Sequence, residues 1–185
     1  YWLLDRFTTA ASAPLSTPRS AEPTGTLTLV QTDGQLSISS AALNIPAQST
    51  PAWGDLGFRV GAGKARAAGV ALVGTINFSS GSNANWGWGS TNAQATSITG
   101  NWVYAFEAGA AGSFGIVDNG EEARQLFTIS NGTAYQYAIV LRGTGAFYFV
   151  KGGAFTNWTL LWVSVQNNAA TLYPQFNNYD RVGTL

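Results

Sequence analysis

Cysteine, methionine and histidine are all absent from the 185-residue chain. Their absence excludes a disulfide, a zinc site built on Cys or His, a thiol nucleophile and an imidazole base. Charge is also scarce, because only 10% of residues are Asp, Glu, Lys or Arg, against about 25% in average proteins. Nine basic and nine acidic residues cancel, so we expect no nucleic-acid partner. The apolar runs are too short for a membrane-spanning helix, so we expect no membrane insertion.

With so little charge, the polar surface has to be built from Ser, Thr, Asn, Gln and Gly. A surface of this kind gives weak repulsion between copies, and near-zero net charge favours association. The composition therefore suits an extracellular, cell-surface or virion-surface protein that self-associates or packs against neighbouring subunits. A monomer with a neutral surface rich in hydroxyl and amide groups is the alternative.

The most apolar stretch is Gly145 to Val165, in which two runs of β-branched and aromatic residues flank Lys151-Gly152-Gly153. Adjacent glycines supply the positive φ that a tight hairpin turn requires. Both runs carry large side chains on both faces, which predicts a β-hairpin at the centre of a sheet. A buried helix is the competing interpretation, and the two glycines in mid-run argue against it.

Turn residues recur along the chain at a spacing of about 8–12 residues, and no helical period is present. We therefore predict an all-β fold: a single antiparallel β-sandwich (jelly roll) domain over residues 1–185, with about twelve strands and little or no helix. Asp33-Gly34 predicts a hairpin turn between strands at 26–31 and 35–39. Residues 8–23 contain three prolines and are predicted to form an irregular loop. Residues 79–100 are the least core-like segment.

Two strands carry a resemblance to a known family. The pattern Tyr-x-Tyr-Ala-Ile-Val from Tyr135, a short glycine turn, and then Phe-Tyr-Phe-Val-Lys-Gly from Phe147 resembles the central strand pair of laminin-G-like domains. These domains belong to the concanavalin-like (concanavalin A-like lectin/glucanase) β-sandwich group. The resemblance covers Tyr135 to Val165, and the rest of the chain matches only by strand rhythm. It implies the fold, but that fold hosts lectins, glycanases, adhesion modules and structural proteins alike.

Sandwiches that resemble this one usually close with a last strand beside the first. Little chain is left after residue 180 to form such a strand, so we predict an incomplete edge at the N-terminal segment. There Tyr1, Trp2, Leu3 and Leu4 would be completed by a neighbouring subunit through strand addition. The alternative is that residues 180–185 themselves form the closing strand.

A recognition surface for glycans needs aromatic rings for the C–H side of a sugar and amides for its hydroxyls. Asn83, Asn85, Trp86 and Trp88 lie together in the polar segment 79–100, and Trp53 lies in another loop. These five are the predicted glycan-binding residues. The competing interpretation, which we favour for Trp86 and Trp88, is a strand whose two indoles pack into the core.

Calcium is common in laminin-G-like domains, so the resemblance implies Ca²⁺ as the cofactor to consider. Asp118, Asn119 and Glu121 could supply oxygen ligands within one turn. A solvated turn is the favoured interpretation, because a hard cation requires several carboxylates and this turn offers few. No other cofactor is expected.

Catalysis is not expected either. Glycan hydrolysis needs two carboxylates about 5–10 Å apart, and the Glu-x-Asp-x-x-Glu run of glycanases in this group is absent. We therefore predict a non-catalytic protein with a structural and adhesive role that assembles by protein–protein contacts, as an appendage or filament subunit does. A carbohydrate-binding, lectin-like module is the alternative.

Overall fold

The computed structural model describes residues 14–15, 19–20, 26–61, 63–81, 83–109, 112–167 and 171–185. Sixteen strands and no α-helix occur in this part of the chain. They form two antiparallel sheets packed as a sandwich, which confirms the predicted fold class. The strand number exceeds the prediction in part because three further strands, β1, β6 and β16, have only two or three residues, too few to show an alternating pattern.

The larger sheet has nine strands in the order β1-β2-β5-β15-β8-β9-β10-β11, with β6 pairing to one end of β15. Their bounds are β1 Arg19–Ser20, β2 Thr26–Gln31, β5 Leu56–Val60, β6 Lys64–Ala65, β8 Ala84–Gly89, β9 Trp102–Ala108, β10 Ser113–Asp118, β11 Glu121–Thr128 and β15 Thr171–Asn178.

The smaller sheet has seven strands in the order β14-β13-β12-β7-β16-β4-β3. Their bounds are β3 Ser37–Ser39, β4 Ala42–Ile45, β7 Ala71–Ser80, β12 Tyr135–Arg142, β13 Gly145–Gly152, β14 Phe155–Ser164 and β16 Val182–Thr184.

The core between the sheets is dominated by aromatic rings. The Trp86 ring of β8 lies 5.6–5.9 Å, centroid to centroid, from the rings of Phe78, Phe106, Phe114 and Tyr137. Phe78 and Tyr137 come from the smaller sheet and the other rings from the larger one, so this cluster joins the two layers. Aromatic pairs at such distances add stability beyond the apolar area that they bury.

The predicted hairpin at 145–165 is present as β13 and β14, and Gly153 takes the positive φ of +56° in its turn. Its predicted place at the centre of a sheet is wrong, because β14 is the outermost strand of the smaller sheet. Large side chains on both faces of a strand predict that both faces are buried. Here the outer face of β14 carries them exposed.

Several connections differ from the prediction. Asp33-Gly34 does not close a hairpin: β2 pairs with β1 and β5 in the larger sheet, whereas β3 pairs with β4 in the smaller one. Residues 8–23 are described only in part, and Arg19–Ser20 within them form β1 rather than loop. The segment 79–100 contains the buried strand β8.

The C-terminal segment closes the smaller sheet within the chain. Val182–Thr184 form β16, which pairs with β7 on one side and β4 on the other. This confirms the alternative in which residues 180–185 supply the closing strand. The predicted assembly edge at Tyr1, Trp2, Leu3 and Leu4 lies outside the described residues.

Candidate functional site

The outer face of the smaller sheet carries two rows of apolar side chains. Cross-strand register aligns them over β7, β12, β13 and β14. One row is Val73, Ala138, Phe149 and Leu160; the other is Ala71, Val140, Phe147 and Val163. Trp158 lies on the same face, because the next residue, Thr159, faces inward opposite the buried Val150. We call the two rows and Trp158 together the outer apolar face.

Much of this face is open to solvent. Val73 is 60% exposed, Leu160 47%, Trp158 45% and Val163 39%. Phe147 and Phe149 are half-buried, and their ring centroids lie 6.2 Å apart. Single exposed apolar residues are ordinary, but a contiguous group of them marks a surface that contacts something else.

Charge on the four strands of this face is sparse and of one sign. Arg142, at the end of β12, places its guanidinium 4.7 Å from the centre of the Phe147 ring. Lys151, near the end of β13, is the other cation, and no acidic residue occurs in these four strands. The two cations stand at opposite ends of the apolar rows, so the centre of the face is uncharged.

The inner side of β14 is anchored to the larger sheet through Asp118. One carboxylate oxygen accepts a hydrogen bond from Trp162 Nε1 at 3.2 Å, and the other accepts one from Ser164 Oγ at 2.7 Å. Phe155, at the start of β14, packs its ring 4.8 Å from that of Phe127 on β11. These contacts hold the edge strand in place while its outer side chains stay exposed.

The same hydrogen bonds bear on the predicted calcium site. Both carboxylate oxygens of Asp118 are directed to β14, Asn119 occupies the turn with a φ of +56°, and Glu121 is exposed. No group of three or more His, Cys, Asp or Glu side chains that could hold a metal ion occurs among the described residues. The arrangement gives Asp118 a structural task that the sequence did not reveal.

The outer face of the larger sheet differs because a segment of the same chain, residues 90–101, lies across it. Amides fasten the segment to the sheet: Asn85 Nδ2 donates to the Ile98 carbonyl at 2.5 Å, Asn177 Nδ2 donates to the Ala95 carbonyl, and Gln94 Nε2 donates to the Phe176 carbonyl at 3.0 Å. This sheet is therefore covered on both sides over its middle strands.

This arrangement overturns most of the predicted glycan site. Trp86 and Trp88 lie in β8 and are at most 1% exposed, and Asn85 is fully buried beneath the segment 90–101. The expectation that these three residues form an open recognition loop is wrong. The competing interpretation, a strand whose two indoles pack into the core, is correct, because Trp86 and Trp88 both belong to the core between the sheets.

Trp53 and Asn83 are the predicted glycan residues that reach the surface, and both are half-buried. The Trp53 ring lies 5.5 Å from the ring of Tyr179, at an interplanar angle of 40°. The backbone carbonyl of Asn83 accepts a hydrogen bond from the backbone N–H of Tyr179 at 3.0 Å. The side chain of Asn177 lies close, because its Oδ1 accepts from Gly54 N at 3.1 Å. We call this group the Trp53–Tyr179 corner.

The outer apolar face was missed as a site by sequence reasoning. Its signal was present in the apolar character of both faces of residues 145–165, but burial on both sides explained that pattern equally well. The position of a strand at the edge or in the middle of a sheet depends on long-range pairing, which the local pattern does not encode.

Together the two sheets and their connections define the protein as a concanavalin A-like β-sandwich. Solved structures of this class match it in fold. The winged bean acidic lectin in complex with methyl-alpha-D-galactose is 12% identical with a TM-score of 0.60, over 85% of this chain and 87% of that one. The exoplasmic/lumenal domain of VIP36 in its Ca²⁺/Man2-bound form is 7% identical with a TM-score of 0.63, over 98% and 83%.

A sialidase structure also matches, with 12% identity and a TM-score of 0.53, over 84% of this chain but only 13% of that one. No protein-family model and no curated protein sequence matches significantly. At these identities the matches establish the fold alone. No helix long and apolar enough to cross a membrane occurs among the described residues.

Proposed function

We propose that this chain is a non-catalytic structural and adhesive module that works by protein–protein contact through the outer apolar face. The observation that supports this proposal most directly is that one sheet face exposes several large apolar side chains: Val73, Trp158, Leu160 and Val163. The predominance of aliphatic side chains supports a protein partner over a sugar. Aliphatic groups offer no hydrogen bonds to hydroxyls, whereas they pack well against another apolar protein surface.

An extracellular, cell-surface or virion-surface location accords with this role. The chain has few charges, and one of its structural matches is an exoplasmic/lumenal domain. The absence of the Glu-x-Asp-x-x-Glu run and the engagement of both Asp118 oxygens in hydrogen bonds support a non-catalytic role.

The test measures whether the outer apolar face is an accessible apolar surface in the folded protein. We expect the dye ANS to bind the native chain, and the double variant Phe149→Ser/Leu160→Ser to lose most of that binding while its circular dichroism stays unchanged. Val30→Ser, a half-buried strand position of the larger sheet, is the control and should bind ANS as the wild type does. Absence of ANS binding to the native chain would contradict the contact role.

Glycan recognition at the Trp53–Tyr179 corner is the second candidate function. Its specific support is the pair of half-buried rings beside the half-buried Asn83, the combination of aromatic face and amide that sugars require. The lectin structures with bound sugars show that this fold can carry such a site elsewhere, although their identities are too low to transfer it.

A matched pair of tryptophan variants separates the two functions. If the corner binds glycans, Trp53→Ala should abolish binding on a glycan array, while Trp158→Ala on the outer apolar face should leave it intact. Binding that survives Trp53→Ala, or an array without any bound glycan, would rule out this candidate.

A further inference from the structure

We propose that a second copy of this chain binds at the β14 edge of the outer apolar face, by antiparallel pairing of β14 with β14 of the copy. The inference rests on the contact role proposed above and names its partner. In such a dimer the two smaller sheets become one continuous sheet across a two-fold axis.

The backbone of β14 is suited to pairing because one of its sides is unpaired among the described residues. β13 occupies one side, and no described strand pairs with the other. The strand is ten residues long and contains neither Pro nor a charged residue. Natural edge strands are normally protected by Pro, by charges or by short length.

The other sheet ends carry such protection. β11 begins with the exposed Glu121, and β3 has only three residues. Two irregularities are the protective devices on β14: the bulge that leaves Leu161 unpaired opposite β13, and a register shift between Val150 and Gly152, opposite residues 156–158. Of the edge strands with described side chains, β14 therefore offers the longest uncharged run.

The absence of charge on β14 favours an identical partner in particular. In a two-fold antiparallel contact, residues near the axis lie close to their own counterparts, and the other residues of the strand face each other in reciprocal pairs. Because β14 carries no charged residue, no register of this pairing brings like charges together on the two strands. The nearest cation on the outer apolar face is Lys151 on β13. In the joined sheet, three strand spacings of about 4.8 Å would separate the two β13 strands by about 14 Å. That separation exceeds the Debye length of about 10 Å at 0.1 M salt, so the two lysines would repel each other weakly.

Side-chain rows support the same geometry. The rows on the outer apolar face end on β14 at Leu160 and Val163, both still over a third exposed. A second β14 would place apolar neighbours beside these residues, as β13 places Phe149 and Phe147 on their other side. The row that starts at Val73 would then run through Leu160 into the copy.

The contact is expected to be weak. A ten-residue strand is about 33 Å long, and a strip about 10 Å wide along it covers on the order of 330 Å² of each copy. Stable complexes bury about 800 Å² per partner. We therefore expect a dissociation constant in the micromolar range or above, and an association that is visible only at high concentration.

Sedimentation velocity of the whole chain, from about 10 µM to about 1 mM, covers the range expected for such an interface. The wild type should shift from monomer to dimer. Leu160→Lys should weaken the dimer at least about tenfold, because it puts a charge near the middle of each of the two paired edge strands. Val73→Lys makes the same kind of change three strands away and should leave the dimer within about twofold of wild type.

Cross-linking gives an independent readout, because the chain has no cysteine of its own. Single cysteines at Trp158, Leu160 and Val163 would be treated with a short bismaleimide at high concentration. We expect cross-linked dimers from at least one of them and none from Val73→Cys.

The outcomes distinguish this inference from the contact role. A wild type that remains monomeric up to about 1 mM would overturn the second-copy partner, and the contact role would survive if the native chain still binds ANS at the outer apolar face. Equal weakening by Val73→Lys and Leu160→Lys would also overturn β14 pairing, since it would indicate face-to-face packing of the sheets. Loss of both ANS binding and dimerisation in the wild type would reject both proposals.

Discussion

Truncation of Trp86 tests whether the aromatic cluster between the two sheets supports the fold. The side chain is 1% exposed and contacts four rings, two of them from the opposite sheet. Replacing a buried Trp by Ala typically costs about 3–5 kcal/mol, because apolar contacts are lost and a cavity remains. Domains are stable by only about 5–15 kcal/mol, so Trp86→Ala should remove a large part of the free energy of unfolding.

Trp158→Ala is the matched control for this variant. Trp158 is 45% exposed on an edge strand, so its truncation removes only part of the burial energy of a large side chain and should cost about 1 kcal/mol. Urea unfolding followed by far-UV circular dichroism measures both variants, and avoids tryptophan fluorescence in a chain with seven tryptophans. The denaturant midpoint should fall strongly for Trp86→Ala and slightly for Trp158→Ala.

The contrast between the two variants decides the outcome. Equal losses of stability, or a loss under about 1 kcal/mol for Trp86→Ala, would refute the placement of Trp86 between the sheets. A variant that is as stable as wild type but loses glycan binding would reinstate the predicted recognition role of Trp86. Trp86 Nε1 has no hydrogen-bond partner among the described residues, so Trp86→Phe should cost less than the lost ring area implies, because it removes a buried unsatisfied donor.

Three further predictions concern ionisable groups. Burial raises the pKa of Tyr137 and Tyr148 above the ordinary value of 10.0. As the pH rises, the unfolded chain therefore loses these protons before the folded chain does. The free energy of unfolding should fall above about pH 10, by up to about 1.4 kcal/mol per pH unit for each tyrosine. Burial raises the pKa of Tyr104 as well, so Tyr137→Phe should lower that slope only in part in urea titrations between pH 9 and 11. Asp118→Ala removes two hydrogen bonds to a carboxylate and should cost about 2 kcal/mol, whereas Glu121→Ala should change the urea midpoint little. Added Ca²⁺ should leave the melting temperature unchanged, and a rise that Glu121→Gln abolishes would reinstate the calcium site.

Local patterns in the sequence predicted the strands well. Alternation and turn residues predict β2 at 26–31, and the apolar pattern from Tyr135 predicts β12, because both strands alternate between a more buried and a more open face. β8 was harder to predict, since its Asn and Gly residues resemble a loop. Its polar side chains are buried only because residues 90–101 return over them and supply hydrogen-bond partners.

The sites were less predictable than the strands, because they depend on which segments become neighbours. Trp53 and Tyr179 are far apart in sequence and meet only through the pairing of β5 with β15. Asp118 reaches Trp162 and Ser164 only because β10 lies opposite β14 in the sandwich. No local sequence pattern connects these positions. A turn with three oxygen-bearing side chains predicts a metal site until the hydrogen-bond partners of those side chains are known.

The outer faces of the two sheets differ in how far they are covered by other parts of the chain. The larger sheet covers the outer face of its middle strands with residues 90–101, and amide side chains replace the hydrogen bonds to water that this burial removes. The smaller sheet has no such cover over β12, β13 and β14 among the described residues, and its outer face is apolar where solvent would favour polar side chains. Leaving that face apolar costs solubility unless something binds it. This asymmetry is the physical reason to look for the partner on the smaller sheet, and at its uncharged edge first.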